Sequence, residues 1–237
     1  MKNTGEQYIP GISSKRLLDE HVSRYEFAKL YCEGKDVLDI ACGTGYGSSE
    51  IAKIAKSVVG VDISKESIEF ANSNYKLSNL SYVLDDAIYF KKINKMEFDI
   101  VISFETIEHL DKIGRAAYLN NIKKVLKKGG VFIMSTPNKK ITSPFSEKPL
   151  NKFHVLEFTK KTLESELSYF FKIEKFYGQR FIKSFFTGRI TRLAIRIFEK
   201  ILSHNFDIYI TRYSPIVTEW INTSKQPRII IVISKKQ

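Results

Sequence analysis

Val37-Leu38-Asp39-Ile40-Ala41-Cys42-Gly43-Thr44-Gly45-Tyr46-Gly47, followed by Ser48-Ser49-Glu50-Ile51-Ala52-Lys53-Ile54-Ala55, is the stretch whose reading decides the fold. A short apolar run ending in a carboxylate, then glycines at every second position, then an amphipathic run, reads as strand, tight turn and helix. Glycines at 43, 45 and 47 leave no side chains where backbone must approach a ligand closely, and the helix start beyond them offers free N–H groups. This is the chemistry of a nucleotide-binding turn. Asp39 narrows the ligand, because an acid entering the turn repels a pyrophosphate and suits a ligand carrying an ammonium and a sulfonium. On the dinucleotide pattern G-x-G-x-x-G the third glycine is replaced by Ser48, so that match is partial.

The stretch resembles motif I of the class I S-adenosylmethionine-dependent methyltransferases, whose strand, acid and G-x-G pattern it follows. Ala41 stands where that family most often has its first glycine; the expected consequence is a shift in backbone approach and no loss of binding. Val58-Val59-Gly60-Val61-Asp62 reads as a second strand ending in a carboxylate, with Ser64 capping a helix through Tyr75. An acid there can accept hydrogen bonds from vicinal ribose hydroxyls. Tyr82-Val83-Leu84 makes a third strand, followed by Asp85-Asp86-Ala87. In the family an acid at this point accepts from the adenine amino group; Asp86 is favoured over Asp85, with a turn or N-cap as the plain alternative.

Phe98 to Ser103 reads as a fourth strand, buried on both faces. It runs into Phe104-Glu105-Thr106-Ile107-Glu108-His109-Leu110, which resembles the family's motif IV, where the chain passes beneath the methionine part of S-adenosylmethionine. The Asn/Asp-Pro-Pro-aromatic run of nucleobase amino-group methyltransferases is absent. Tyr118 to Lys128 is expected to be a helix closed by Gly129-Gly130 as a left-handed C-cap, with Val131 to Thr136 as the fifth strand, stopped by Pro137. A polar loop follows, then a helix from the Thr159 cap through Ser168, a sixth strand over Phe171 to Tyr177 and a last strand over Arg228 to Ser234.

Ahead of the glycine turn, Ser14 to Tyr31 reads as a helix capped by Ser13 or Ser14, its polar face carrying Glu20, His21 and Arg24. Thr4-Gly5-Glu6, Tyr8-Ile9-Pro10, Glu20-His21 and Arg24-Tyr25 resemble the N-terminal signature of methyltransferases encoded in bacterial surface-polysaccharide (O-antigen and capsule) clusters. Asn151-x-Phe153-His154-x-x-Glu157-Phe158 is similar to the same subgroup. Without that resemblance, His21 and Arg24 would read as ordinary helix surface.

The fold expected is α/β: a Rossmann-like class I methyltransferase fold, with a seven-stranded, mostly parallel sheet, helices on both faces and an antiparallel last strand. At 237 residues the chain suits one domain, with residues 1–33 as an arm and helix over the cofactor site and 178–215 as a helical insertion. The resemblance implies S-adenosylmethionine as cofactor. It implies a shell of Tyr8 and Arg24, of Asp39, Ala41, Gly43, Gly45 and Tyr46 at the turn, and of Asp62, Ile63, Asp86, Ala87, Phe104 and Glu105 at the later strand ends.

The net charge of +12 is local. Residues 123–152 carry +7 and residues 178–213 carry +5, which together account for all of it. In the insertion, Leu193, Ala194, Ile197 and Ile201 share one helical face while Arg189, Arg192, Arg196 and Lys200 occupy another. That helix is an acceptor lid, a contact with an anionic membrane surface, or plain packing with a solvated basic side. The expected partner is a small-molecule, sugar-nucleotide or saccharide acceptor, with peripheral membrane contact open and nucleic acid disfavoured. Cys32 and Cys42 are the only cysteines and lack zinc or disulfide spacing. Met1 to Gly11 is polar, no apolar run approaches a membrane span, and a cytoplasmic protein, at the inner membrane face if the basic helix docks there, is expected.

Methyl transfer from a sulfonium is an in-line displacement, so alignment and exclusion of water are the main tasks. A sugar hydroxyl also calls for a base, and His109 and His154 are the candidates, both following strands on the acceptor side. The alternative for His109 is a cap on the helix beginning near Asp111. A metal site from Glu105, Glu108 and His109 is discounted, since one turn rarely supplies a full ligand set. Cys42 reads as a small residue lining the cofactor turn, with no base placed beside it. The activity expected is O-methylation of a sugar or sugar-linked phosphate group in surface-polysaccharide synthesis. Its rivals are an RNA or protein methyltransferase using the basic surfaces, an NAD-dependent oxidoreductase, and a non-catalytic module that binds S-adenosylmethionine or a membrane surface.

Overall fold

The computed structural model describes residues 15–144, 146–182, 216–221 and 225–237, together with positions 191, 194 and 197. The arm with Tyr8, the proposed caps Ser13 and Ser14, and most of the basic insertion, including Arg189, Arg192, Arg196 and Lys200, lie outside the described residues. Among those described, no helix is long and apolar enough to cross a membrane.

Helix α1 (Lys15–Cys32) leads into β1 (Asp36–Ile40), the glycine turn, α2 (Tyr46–Ala52) and β2 (Ser57–Asp62). Then come α3 (Lys65–Asn74), β3 (Leu80–Leu84), β4 (Phe98–Phe104), a 3-10 turn over Ile107–His109, α4 (Lys112–Val125) and β5 (Leu126–Pro137). The remainder is α5 (Lys139–Thr142), α6 (Lys160–Ser168), β6 (Lys172–Phe181), β7 (Thr218–Glu219) and β8 (Pro227–Lys235). The eight strands form one sheet in the order β3-β2-β1-β4-β5-β8-β6-β7. β1 to β5 are mutually parallel, β8 runs antiparallel between β5 and β6, and β7 is antiparallel to β6. The strand reversal beside β1 places the carboxyl ends of β1, β2 and β4 around one crevice.

Alternation along β1 sorts the core into two layers. Val37 points to the face covered by α1 and α2, where Tyr25, Ala28, Cys32, Ile51 and Ala52 pack. Leu38 and Ile40 point to the opposite face, against Tyr118, Leu119 and Ile122 of α4 and Leu163 and Leu167 of α6. Caps fall where their chemistry predicts: Ser64 accepts from the Ser67 amide, and Thr159 with Thr162 forms a reciprocal capping box.

Several sequence expectations are corrected. Among the described residues the sheet has eight strands, because Thr218–Glu219 adds a short edge beside Tyr177 and Gly178. β6 runs on to Phe181, so residues 178–181 belong to the sheet and the insertion begins later than position 178. Gly129-Gly130 does not cap α4. That helix ends at Val125, and Leu126 is its C-cap. Leu126 pairs with Phe98 and Val131 with Ile100, so the residues between form an irregularity in the ladder, with Gly129 in the left-handed region at φ 75°. A Gly-Gly pair supports a helix end and a bulge equally well, and cross-strand pairing on both sides selects the bulge.

Candidate active site

Asp39 shares a face with Val37, which turns its carboxylate toward α1 and α2 and away from open solvent. It is fully buried, accepting from Ser48 Oγ at 2.6 Å and from the Tyr25 hydroxyl at 3.1 and 3.3 Å. Burial pushes its carboxyl up to about 7, against the restraining effect of the Ser48 and Tyr25 donors. Asp39 therefore lies beneath the turn and ties it to two helices, and it is not among the residues that line the cavity above the turn.

The glycines are also used differently from expectation. A Cβ on Gly45 would lie 2.6 Å from Ala71 Cβ and 2.7 Å from the Tyr82 ring, and one on Gly47 would lie 1.9 Å from Tyr25 Cζ. Aromatic rings underneath the turn thus require both glycines, independently of any ligand. Ala41 and Gly43 adopt φ 57° and φ 55°, so Ala41 occupies a conformation natural to glycine.

Above the turn lies a cavity of about 150 Å³ lined by Ala41, Gly43, Tyr46, Asp62, Phe104 and Glu105, among others. Asp62 accepts from the Gly43 amide through Oδ2 and from the Ser64 amide through Oδ1, both at 2.8 Å. Burial raises its carboxyl pKa, partly offset by the amides of Ser64, Gly43 and Ile63. Ile63 beside it is 70% exposed, an apolar surface available to a planar ring. Three of the turn's donors are engaged within the protein: Gly45 N–H on the Cys42 carbonyl, Cys42 N–H on the Val61 carbonyl and Gly43 N–H on Asp62. Carboxylates and aromatic faces around the turn suit a cation bearing hydroxyls better than a pyrophosphate. The donor set thus suits S-adenosylmethionine and disfavours NAD.

Asp86 and Ala87 are not among the residues that line this cavity. The choice between the two acids has a structural basis all the same. Asp85 is committed to the amides of Asp86, Lys91 and Lys92, whereas Asp86 Oδ1 takes one local amide, that of Ile88.

A second cavity of about 330 Å³ adjoins the first, and Glu105 and His21 line both. Glu105 is held in the left-handed region at φ 52°, its N–H donating to the Ser135 carbonyl and its carboxylate accepting from Ser135 Oγ at 2.5 Å. His21 is held neutral by burial first and the Arg24 charge second. The α1 face read as polar surface is an inner wall. Arg24 is 2% exposed and donates to Gln179 Oε1 at 2.8 Å, while Arg180 pairs with Glu20 at 3.2 Å. Arg24 lines the second cavity and is not among the residues that line the first.

His109 and His154 both line the second cavity, with ring centroids 5.0 Å apart and nearly perpendicular. His109 Nδ1 lies 2.9 Å from the Phe153 carbonyl, which can only accept, so that nitrogen carries the proton. His109 does not cap α4; Asp111 does, accepting from the Gly114 amide at 2.7 Å. His154 Nδ1 donates to Glu157 Oε1 at 3.0 Å, and its Nε2 meets Asn151 Nδ2 at 2.9 Å. Donors from His154, Ser143 and Thr142 outweigh the effect of burial and hold the Glu157 carboxyl below its usual value. Glu108, Asn151, Glu157, Gln179 and Arg180 were not assigned roles from the sequence. Asn151 and Glu157 belong to the run the resemblance singled out, whereas Gln179 and Arg180 lie at the end of a strand with no local sequence signal.

Residues 32–175 match the methyltransferase domain family. A probable S-adenosylmethionine-dependent methyltransferase of Mycolicibacterium smegmatis is 35% identical over 161 residues, covering 65% of this chain and 58% of that one. A ubiquinone biosynthesis O-methyltransferase of Pelagibacter ubique is 34% identical over 107 residues, covering 45% and 44%. The chain thus spans about half the length of the curated relatives it matches. Among solved structures, the N-methyltransferase NodS from Bradyrhizobium japonicum, in complex with S-adenosyl-l-homocysteine, superposes with a TM-score of 0.62 at 14% identity, covering 95% of this chain and 89% of that one. That likeness is one of fold.

Proposed function

The chain belongs to the methyltransferase domain family, and from that premise we propose that it transfers the methyl group of S-adenosylmethionine to a hydroxyl of a small, polar, polyhydroxylated acceptor. The observation that carries this reading is the pair of adjoining cavities with Glu105 and His21 in both walls. When bound, the cofactor supplies an electrophilic methyl group. Asp62 would hold its ribose, and Phe104 and Glu105 would face its cationic end.

The second cavity supports an acceptor rich in hydroxyls. Its volume suits a small molecule, and its wall carries Glu20, Arg24, Glu108, Asn151, His154 and Glu157, each able to hydrogen-bond. An apolar acceptor would bury this polar wall away from water and offer it no hydrogen bond in return. The O-methyltransferase named among the relatives favours oxygen as the atom methylated. A sugar or sugar-linked group in surface-polysaccharide synthesis remains the acceptor that the sequence resemblance favours, and Tyr8 is assigned on the same resemblance; the basic insertion keeps the three readings of its amphipathic pattern, an acceptor lid, a membrane contact or plain packing.

Calorimetric titration with S-adenosylhomocysteine and with NAD tests the cofactor, with Asp62→Ala as control. Micromolar binding of the first, lost in the variant, with no heat from NAD, is expected. Transfer of label from methyl-tritiated cofactor to a panel of sugar nucleotides and saccharides, with a catechol as comparison, then tests the acceptor. Transfer to the catechol alone would overturn the polar-acceptor reading.

A further inference from the structure

We propose that Glu108, His109 and His154 form a binding site for a divalent metal ion that holds the acceptor's hydroxyl oxygen. One ligand atom from each of the three lies within 4.8 Å of the others. Ligands on a common ion at about 2.1 Å sit roughly 3–3.5 Å apart, so modest side-chain rotations close the set. The one-turn objection no longer applies, because the third ligand arrives from a loop 45 positions beyond His109.

That loop is pinned at the site. The amides of Val155 and Leu156 donate to the Glu108 carbonyl at 2.8 and 3.1 Å, and the His109 ring is anchored in turn to the Phe153 carbonyl. Each segment fixes the other before any ion arrives. Both imidazoles carry their proton on Nδ1, tied to a carbonyl in one case and a carboxylate in the other, which leaves Nε2 as the basic nitrogen of each. Such outward ties are the usual support of metal-bound histidine. Asn151 supplies the same kind of evidence: its Oδ1 accepts from the Phe153 amide, which turns Nδ2 as a donor onto His154 Nε2, marking the lone pair that an ion would take over.

Glu108 completes the reasoning. Its carboxylate is fully buried and accepts from Thr136 Oγ1 at 3.0 Å, and a cation at the mouth of this pocket compensates a buried negative charge. Two imidazoles and one carboxylate select a borderline ion such as zinc, iron(II) or manganese over calcium. Three protein ligands leave open positions for acceptor oxygens. A hydroxyl bound there releases its proton to water more readily, because the ion stabilises the oxyanion that remains, and neither histidine then needs to act as the base. For this role the inference rests on the methyl-transfer reading; for the binding itself it does not.

The test uses the full chain, stripped with a chelator and titrated with Zn²⁺ by calorimetry, with Co²⁺ absorbance as a second readout. One equivalent per chain is expected, with a d–d band showing nitrogen ligation. His109→Ala and His154→Ala should each weaken uptake at least ten-fold, and Glu157→Gln, which removes the charge behind His154, about ten-fold. S-adenosylhomocysteine binding retained in these variants shows that they fold. Absence of stoichiometric uptake by the wild-type chain, or uptake unchanged in both histidine variants, overturns the site. A wild type that takes up metal without binding S-adenosylhomocysteine supports the site while sinking the methyl-transfer reading; binding of S-adenosylhomocysteine without metal uptake does the reverse.

Discussion

The Tyr25 hydroxyl donates to both carboxylate oxygens of Asp39, at 3.1 and 3.3 Å, inside a pocket from which Asp39 has no exposure to water. Burial holds the Asp39 carboxyl at about 7, against an ordinary value of 3.8. The folded chain therefore binds this proton more tightly than the unfolded one. The sign follows from linkage: stability contributed by the protonated form is present below the unfolded value and is lost as pH rises through the folded one. Across pH 4 to 7 the loss is on the order of 4 kcal/mol. Asp39→Asn should flatten that part of the profile and gain on the wild type as pH rises, measured by urea denaturation at pH 5, 6, 7 and 8. An unchanged slope in the variant would assign the pH dependence elsewhere.

Ala41 sits at φ 57°, a region that costs a residue with a Cβ about 1–2 kcal/mol. Glycine removes that strain but adds freedom to the unfolded chain, worth about 0.4–1 kcal/mol. Ala41→Gly should raise stability by up to about 1 kcal/mol, seen as a higher urea midpoint at unchanged slope. S-adenosylhomocysteine affinity should stay within about two-fold, because the backbone path is the same.

Gly47 faces the Tyr25 ring so closely that an added methyl would overlap it. Helix propensity alone favours alanine by about 1 kcal/mol, but the clash displaces either the ring or α2 and costs more, about 1–3 kcal/mol. Gly47→Ala should destabilise the wild type. In a Tyr25→Ala background the sign should reverse, since the space is then vacant. A double-mutant cycle by denaturation measures the coupling, and additive effects would show that the glycine is there for another reason.

The parts of this molecule legible in the sequence were those with local causes. Ser64 and Thr159 cap helices because their side chains bond amides three residues on, and the strand-end acids Asp39 and Asp62 were found by period and position. What those acids do was less legible. Asp39 and Asp62 share one face of the sheet, and it is the packing of Tyr25 and Ser48 over Asp39 that turns it inward, which is visible only once β1 has helices on a known face. The bond between Arg24 and Gln179 spans 155 positions, and the approach of Glu108 to His154 depends on two loop amides. His109 and His154 were each found as candidate bases, but their partnership depends on tertiary placement that neither motif encodes.

Glu105 is attached twice to Ser135, by main chain and by side chain, and it walls both cavities. On the proposed reading, the gauge between donor and recipient is therefore set by two neighbouring sheet strands. Residues 150–157, by contrast, contribute to one cavity alone. On the proposed reading the molecule is divided like a tool with a fixed jaw and an exchangeable one: a different 150–157 segment that kept His154 would reshape the acceptor wall and leave the Glu105–Ser135 anchorage as it is.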